Sequence, residues 1–181
     1  MTHREEAAST TVLLVEDQAL IALSQRSILE KAGFRVENVL EGESAVERAL
    51  SAPAVDVILM DIDLGPGIDG TVAASRILLS RDIPIVFLTS HGEKERGEKG
   101  KGITRYGYVL KSSGEFVLVE AVNMALELFR AHQETAERER RIRRLNRTHA
   151  LLSELNQAIV KKHDERALYE IICRIAVERG D

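Results

Sequence analysis

The stretch VDVILMDIDLGPGIDG, Val55 to Gly70, decides the fold. From Val55 to Met60 it is nearly continuously apolar, the composition of a strand covered by helices on both faces, as parallel sheets require. Pro66 and Gly67 then read as a turn, which leaves Asp61 and Asp63 at the carboxyl end of the strand. The same kind of run recurs outward in both directions, at Thr11 to Val15, Phe34 to Val39, Ile83 to Leu88 and Tyr106 to Leu110. Segments of helical character separate these five runs, so repeated βα units and a doubly wound five-stranded parallel sheet of the α/β class are expected.

The connecting helices differ in quality. Ala19 to Lys31 carries Leu20, Leu23, Ile28 and Leu29 near helical spacing and is followed by Gly33, a C-terminal stop. Ser44 to Leu50 and Thr71 to Leu79 also read as helix. His91 to Gly102 (HGEKERGEKGKG) has four glycines and no aliphatic residue. Each glycine costs about 1 kcal/mol relative to alanine in a helix interior, which predicts a short or mobile fourth helix. Residues 1 to 10 lack periodicity and read as a disordered tail.

The 181 residues leave room for one ordinary domain and an appendage. A net charge of -4, with acidic and basic residues mixed, gives no global case for nucleic acid or an anionic membrane as the main partner. The apolar runs fall far below the roughly 18 residues that span a bilayer, and no signal-peptide pattern opens the chain, so a cytoplasmic location is expected. The lone cysteine, Cys173, has neither a disulfide partner nor a catalytic one nearby and reads as a small buried hydrophobe.

Ligands of doubly wound sheets bind beyond the carboxyl ends of the strands. Collected there are Glu16 and Asp17 after the first strand, Asp61 and Asp63 after the third, Thr89 and Ser90 after the fourth, and Lys111 after the fifth. Carboxylates so close repel one another unless a cation neutralises them. Mg2+, held by one or two carboxylates and substrate phosphate oxygens, suits such a cluster, with Asp17 and Asp61 as direct ligands. Phosphoryl transfer needs mainly positioning and charge stabilisation, which a metal on one side and Lys111 with Thr89 on the other would supply. Asp61 is then the nucleophile, already ionised and in need of no general base.

Residues 11 to 130 resemble the receiver domain of two-component response regulators. The resemblance rests on Glu16-Asp17, on LMDIDLGPGIDG (Leu59 to Gly70), on Thr89-Ser90 and on YGYVLK (Tyr106 to Lys111), all in the family's order and spacing. It implies a flavodoxin-like sheet of strand order 2-1-3-4-5, and Asp61 as acceptor of a phosphoryl group from a histidine kinase or phosphotransfer protein. It implies Mg2+ bound by Asp17 and Asp61, with help from Glu16 and the backbone carbonyl of Asp63. Thr89 and Tyr108 would form the conformational switch pair, and Asp63 and His91 would tune hydrolysis of the acyl phosphate. The receiver would be a self-phosphorylating acceptor rather than a dedicated enzyme. Two departures stand out: Ser112-Ser113 where the family usually has proline after the lysine, and the glycine-rich fourth helix, part of the family's output face.

Helical character continues past Arg130. A heptad a/d series runs through Ala121, Met124, Leu128, Ala131, Thr135, Arg138, Ile142, Leu145, His149, Leu152, Asn156 and Ile159, interrupted at Thr135 and Arg138. Residues 131 to 160 are therefore expected as a helical linker, with a parallel coiled coil making a homodimer; two or three separate helices are the alternative. Leu145 to Asp181 resembles the opening helices of a GAF-type domain, so 161 to 181 would begin a truncated GAF-like domain in a fragment of a larger protein, such as a multidomain histidine kinase. The arginines at 138, 140, 141, 143, 144 and 147 are diluted by Glu134, Glu137 and Glu139, and no recognition helix or aromatic platform accompanies them. They read as a solvated face before they read as an RNA-binding output. A pseudo-receiver that never takes phosphate is opposed by the full set Asp17, Asp61, Thr89 and Lys111. An Asp-x-Asp phosphatase is opposed by Leu64, where threonine would be needed.

Overall fold

The five apolar runs form one parallel sheet in a computed structural model, which describes residues 10–51, 55–90, 106–161, 169 and 173–174. The strands are β1 (Thr11–Val15), β2 (Arg35–Val39), β3 (Val57–Asp61), β4 (Ile85–Thr89) and β5 (Tyr108–Leu110), in the order β2-β1-β3-β4-β5. The helices are α1 (Ala19–Lys31), α2 (Gly42–Ser51), α3 (Gly70–Ser80) and a long C-terminal α4 (Glu115–Lys161).

Alternation along the strands sends successive side chains to opposite faces. Leu13, Val15, Ile58, Met60, Ile85 and Phe87 pack with Ala45 and Ala49 of α2 and Ala73, Ala74 and Ile77 of α3. On the other face Val12, Leu14, Val57, Leu59, Val86 and Leu88 pack with Ala22 and Leu29 of α1 and Leu118, Val122 and Ala125 of α4. The central strands are thus buried on both faces, as the run from Val55 to Met60 predicted.

Two expectations about α1 resolve differently. Gly33 stops the helix as expected, at φ 98°, with its N–H donating to Glu30 O and the Phe34 N–H to Leu29 O, the hydrogen-bond pair of a glycine-terminated helix. Leu20 and Leu23, however, are 83% and 63% exposed, and the buried face is Ala22, Gln25 and Leu29. Helical spacing alone left two overlapping faces available, and the small Ala22 lets the helix lie close to the sheet.

The strand ends also shift. Asp61 and Thr89 are the last residues of β3 and β4 rather than the first residues beyond them. Thr10 is buried and its carbonyl accepts from the Arg35 N–H at 2.9 Å, so the last residue of the segment expected as tail is tied to the sheet. Gly70 opens α3 against the end of β3, where a Cβ would stand 1.8 Å from Asp61 O; only glycine lets this helix start reach the strand end.

The chain divides into two units, Met1–Ala131 and His132–Asp181. Cys173 is exposed, not the buried hydrophobe expected of it. The expected fourth helix with His91, and most of residues 161 to 181, lie outside the described residues.

Candidate active site

Parallel register delivers Glu16, Asp61, Thr89 and Lys111 to the same end of neighbouring strands. Val15 aligns with Met60, Asp61 with Leu88, and Thr89 with Leu110. Asp61 and Glu16 are wholly buried and Thr89 nearly so. Lys111 Nζ lies 2.6 Å from Asp61 Oδ2 and 2.9 Å from Glu16 Oε2, so one ammonium bridges two buried carboxylates. The Lys111 N–H donates to Thr89 O at 2.7 Å, which fixes the lysine backbone to the end of β4.

Asp17 completes the acidic group: one oxygen each from Glu16, Asp17 and Asp61 lies within 4.8 Å of the others. In isolation an aspartate here would read as a helix cap, but the residue at the cap of α1 is Gln18, without a side-chain cap hydrogen bond. Asp17 Oδ2 instead accepts from the Gly65 N–H at 3.3 Å, and Asp17 Oδ1 is buried with no partner. Asp69 does cap α3, accepting from the Val72 N–H at 2.9 Å. Asp63 is exposed; its N–H donates to Asp61 Oδ1 at 3.2 Å, and its carboxylate stays out of the cluster. Tyr108 is 40% exposed and stacks on Phe87 with ring centroids 5.5 Å apart.

Burial pushes the Asp61 carboxyl up to about 6, assisted by the Glu16 charge and opposed by the Lys111 and Asp63 hydrogen bonds. Burial alone would lower Lys111, but its hydrogen bonds and charge contacts with Asp61 and Glu16 outweigh this and raise it. Three ionised carboxylates against one ammonium leave a surplus of two negative charges, the charge of one divalent cation. The junction that lacks the family's proline forms a turn closed by the Ser113 N–H on Leu110 O at 2.8 Å.

Two residues that matter here escaped the sequence reading. Gly70 was read only as the last residue of LMDIDLGPGIDG, and Glu43 lies just before the helix expected at Ser44 to Leu50, whereas the observed helix starts at Gly42. Glu43 Oε1 accepts from the Ile68 N–H at 3.1 Å and so holds the loop after β3.

Residues 12–123 match the model of the response regulator receiver domain, and the chain belongs to that family. It is 32% identical over 131 residues to the transcriptional regulatory protein PdtaR of Mycobacterium tuberculosis, a match covering 71% of this chain and 62% of PdtaR. The chain therefore aligns with less than two thirds of that relative's length. Among solved structures, the N-terminal domain of a response regulator/sensory box/GGDEF three-domain protein from Carboxydothermus hydrogenoformans is 45% identical, with a TM-score of 0.64, covering 68% of this chain and 98% of that one. The signal receiver domain of a modulated diguanylate cyclase from Desulfovibrio desulfuricans G20 is 32% identical, with a TM-score of 0.62, covering 67% and 97%. Receiver domains are phosphoacceptors of two-component signalling; they bind Mg2+ at an acidic pocket and interact with histidine kinases or phosphotransfer proteins. No described helix is long and apolar enough to cross a membrane.

The raised Asp61 carboxyl predicts a pH dependence. Because the folded state holds this proton up to about pH 6 while the unfolded chain releases it near 3.8, its stabilising contribution is full below 3.8 and lost as pH rises through 6. In chelator, D61N is insensitive at this position, so its stability relative to the parent should climb across that window and level off above it. Urea denaturation at a series of pH values checks this; a flat or falling difference contradicts it.

Proposed function

We propose that Asp61 is the phosphoacceptor of this receiver, with Glu16, Asp17, Thr89 and Lys111 as its apparatus. The observation that carries the reading is the wholly buried Asp61 carboxylate, 2.6 Å from Lys111 Nζ and grouped with Glu16 and Asp17. The donor set suits Mg2+: hard oxygen ligands, a surplus of two negative charges, and an Asp17 oxygen buried without a partner. Asp17 and Asp61 would hold the ion, with Glu16 and the Asp63 carbonyl in support. When bound, Mg2+ screens the repulsion between these carboxylates and the incoming phosphoryl oxygens.

The donor is a phosphohistidine on a kinase or phosphotransfer protein. The bond from an Asp61 carboxylate oxygen to phosphorus forms as the bond from phosphorus to the imidazole nitrogen breaks. The nitrogen keeps the electron pair and takes up a proton. Lys111, held in place by Glu16 and by Thr89 O, neutralises charge on the transferring group, and the Thr89 hydroxyl donates to a phosphoryl oxygen. Drawing Thr89 toward Asp61 biases Tyr108, the partly exposed ring one strand away, toward an inward position. Asp63 and His91 orient the water that ends the acyl phosphate's lifetime.

Residues 11–130 act as the input module and 131–160 as the segment that transmits its state, in a cytoplasmic signalling protein larger than this chain. The C. hydrogenoformans relative, a receiver within a three-domain protein, supports that reading by analogy. Two copies associate through α4. Leu118, Val122 and Ala125 of α4 face the sheet, whereas Met124, Leu128, Ile142, Leu145 and Leu152 of the heptad series are exposed. These apolar positions are unused by the receiver core and share one heptad register.

With a small phosphodonor and Mg2+, the parent should gain the mass of one phosphoryl group, D61N and D17N should gain none, and K111A should be slowed by at least about a hundredfold. D63A and H91A should be labelled but decay at altered rates. An unlabelled parent, or a labelled D61N, rejects the assignment, and unchanged decay rejects the tuning role. By light scattering the chain should exceed monomer mass, with L145D or truncation after Arg130 restoring the monomer. Monomer mass for the parent as well as for both variants would refute the dimer.

A further inference from the structure

The loop from Ile62 to Asp69 carries the Asp63 carbonyl assigned above to the metal, and its path is held at several points. The Asp63 N–H is on Asp61 Oδ1 at 3.2 Å, the Gly65 N–H on Asp17 Oδ2 at 3.3 Å, and the Gly70 N–H on Ile62 O at 3.0 Å. Two of these ties run to carboxylates of the acidic cluster itself. A fourth tie comes from outside the site, where the Ile68 N–H donates to Glu43 Oε1 at 3.1 Å, across 25 residues of sequence.

Three features make this contact a built one rather than a chance surface hydrogen bond. Gly42, beside Glu43, brings the start of α2 so near the loop that a Cβ there would stand 2.5 Å from Ile68 O. Gly67 has φ 112°, a conformation that favours glycine, and a Cβ on it would lie 2.7 Å from Glu43 Oε2. The loop therefore turns its side-chain-free backbone toward the Glu43 carboxylate. Glu43 also stands in the first turn of α2, where the helix dipole favours an anion and helps hold the carboxylate in place.

We infer that Glu43 is a positioning residue for the metal site: from α2 it clamps the Gly67–Ile68 end of the loop, and so holds Gly65 on Asp17 and the Asp63 backbone beside Asp61. The inference rests on the reading of the acidic cluster as a Mg2+ site. Glu43 touches neither metal nor phosphoryl group. Its effect is to restrict the loop before binding, so that the ion does not have to order it.

The test is Mg2+ titration of the full chain by calorimetry, with the parent, E43A, E43Q, G67A and the control E47A, together with amide exchange at Gly65 and Ile68. E43A should weaken Mg2+ binding by about tenfold, as loss of a residue that orients metal ligands does, and should speed exchange at both amides. E43Q keeps the acceptor oxygen and should bind like the parent despite losing the charge. G67A keeps the charge but displaces the carboxylate, and should weaken binding as E43A does. E47A, on the same helix, should match the parent. A parent that binds no Mg2+ rejects the site reading and this inference with it. A parent that binds, with an E43A that binds equally well, overturns the clamp alone. An E43Q as weak as E43A assigns the effect to long-range charge and also overturns it.

Discussion

One ammonium among three carboxylates is the constraint on which the rest of this protein turns. Lys111 bridges Asp61 and Glu16, both wholly buried, at 2.6 and 2.9 Å. Burying ionised groups is costly unless they are paired and hydrogen-bonded, and here the pairing is incomplete by two charges. The consequence falls on Asp61, whose carboxyl is pushed to about 6 by burial against the pull of Lys111. A site in that condition favours whatever supplies positive charge beside a hard oxygen donor. Chemistry and charge imbalance thus sit on the same atoms, as they often do where pKa values are perturbed.

The fold exists around that site in a specific sense. A parallel sheet brings the carboxyl ends of β1, β3, β4 and β5 side by side, so residues distant in sequence meet without any loop having to reach for them. Burial of both faces makes the sheet rigid: Val12 through Val15 and Val57 through Met60 are fully inaccessible to solvent. Glycine does the fine adjustment. Gly70 lets α3 begin against Asp61 O, and Gly42 lets α2 begin against Ile68 O, so that two helix starts press on the loop between them.

Much of this was legible in the sequence because it follows from period and order. The continuous apolar runs announced strands covered on both faces, and strand ends in a doubly wound sheet converge by topology, which brought Asp17, Asp61, Thr89 and Lys111 together in advance. What was not legible depends on contacts at the scale of single atoms. Leu20 and Leu23 fit a helical face as well as Ala22, Gln25 and Leu29 do, and only packing against the sheet selects between them. Gly70 and Glu43 belong to no periodicity, since their roles come from close approach across long sequence separations. The exposure of Cys173 was not legible either, because residue type alone carries no information about packing.

The C-terminal helix carries two kinds of apolar surface, one facing the sheet through Leu118, Val122 and Ala125 and one left exposed along the heptad series. One continuous helix therefore both completes the receiver core and carries the exposed series. Whether the receiver changes state at all depends on Asp61. Treating the phosphorylated chain with borohydride, which reduces an acyl phosphate to the alcohol, and mapping the product by peptide mass spectrometry tests this most directly. Homoserine is expected at position 61 and at no other acidic residue; unmodified Asp61, or reduction at Asp17, Glu16 or Asp63 instead, would contradict phosphorylation at Asp61.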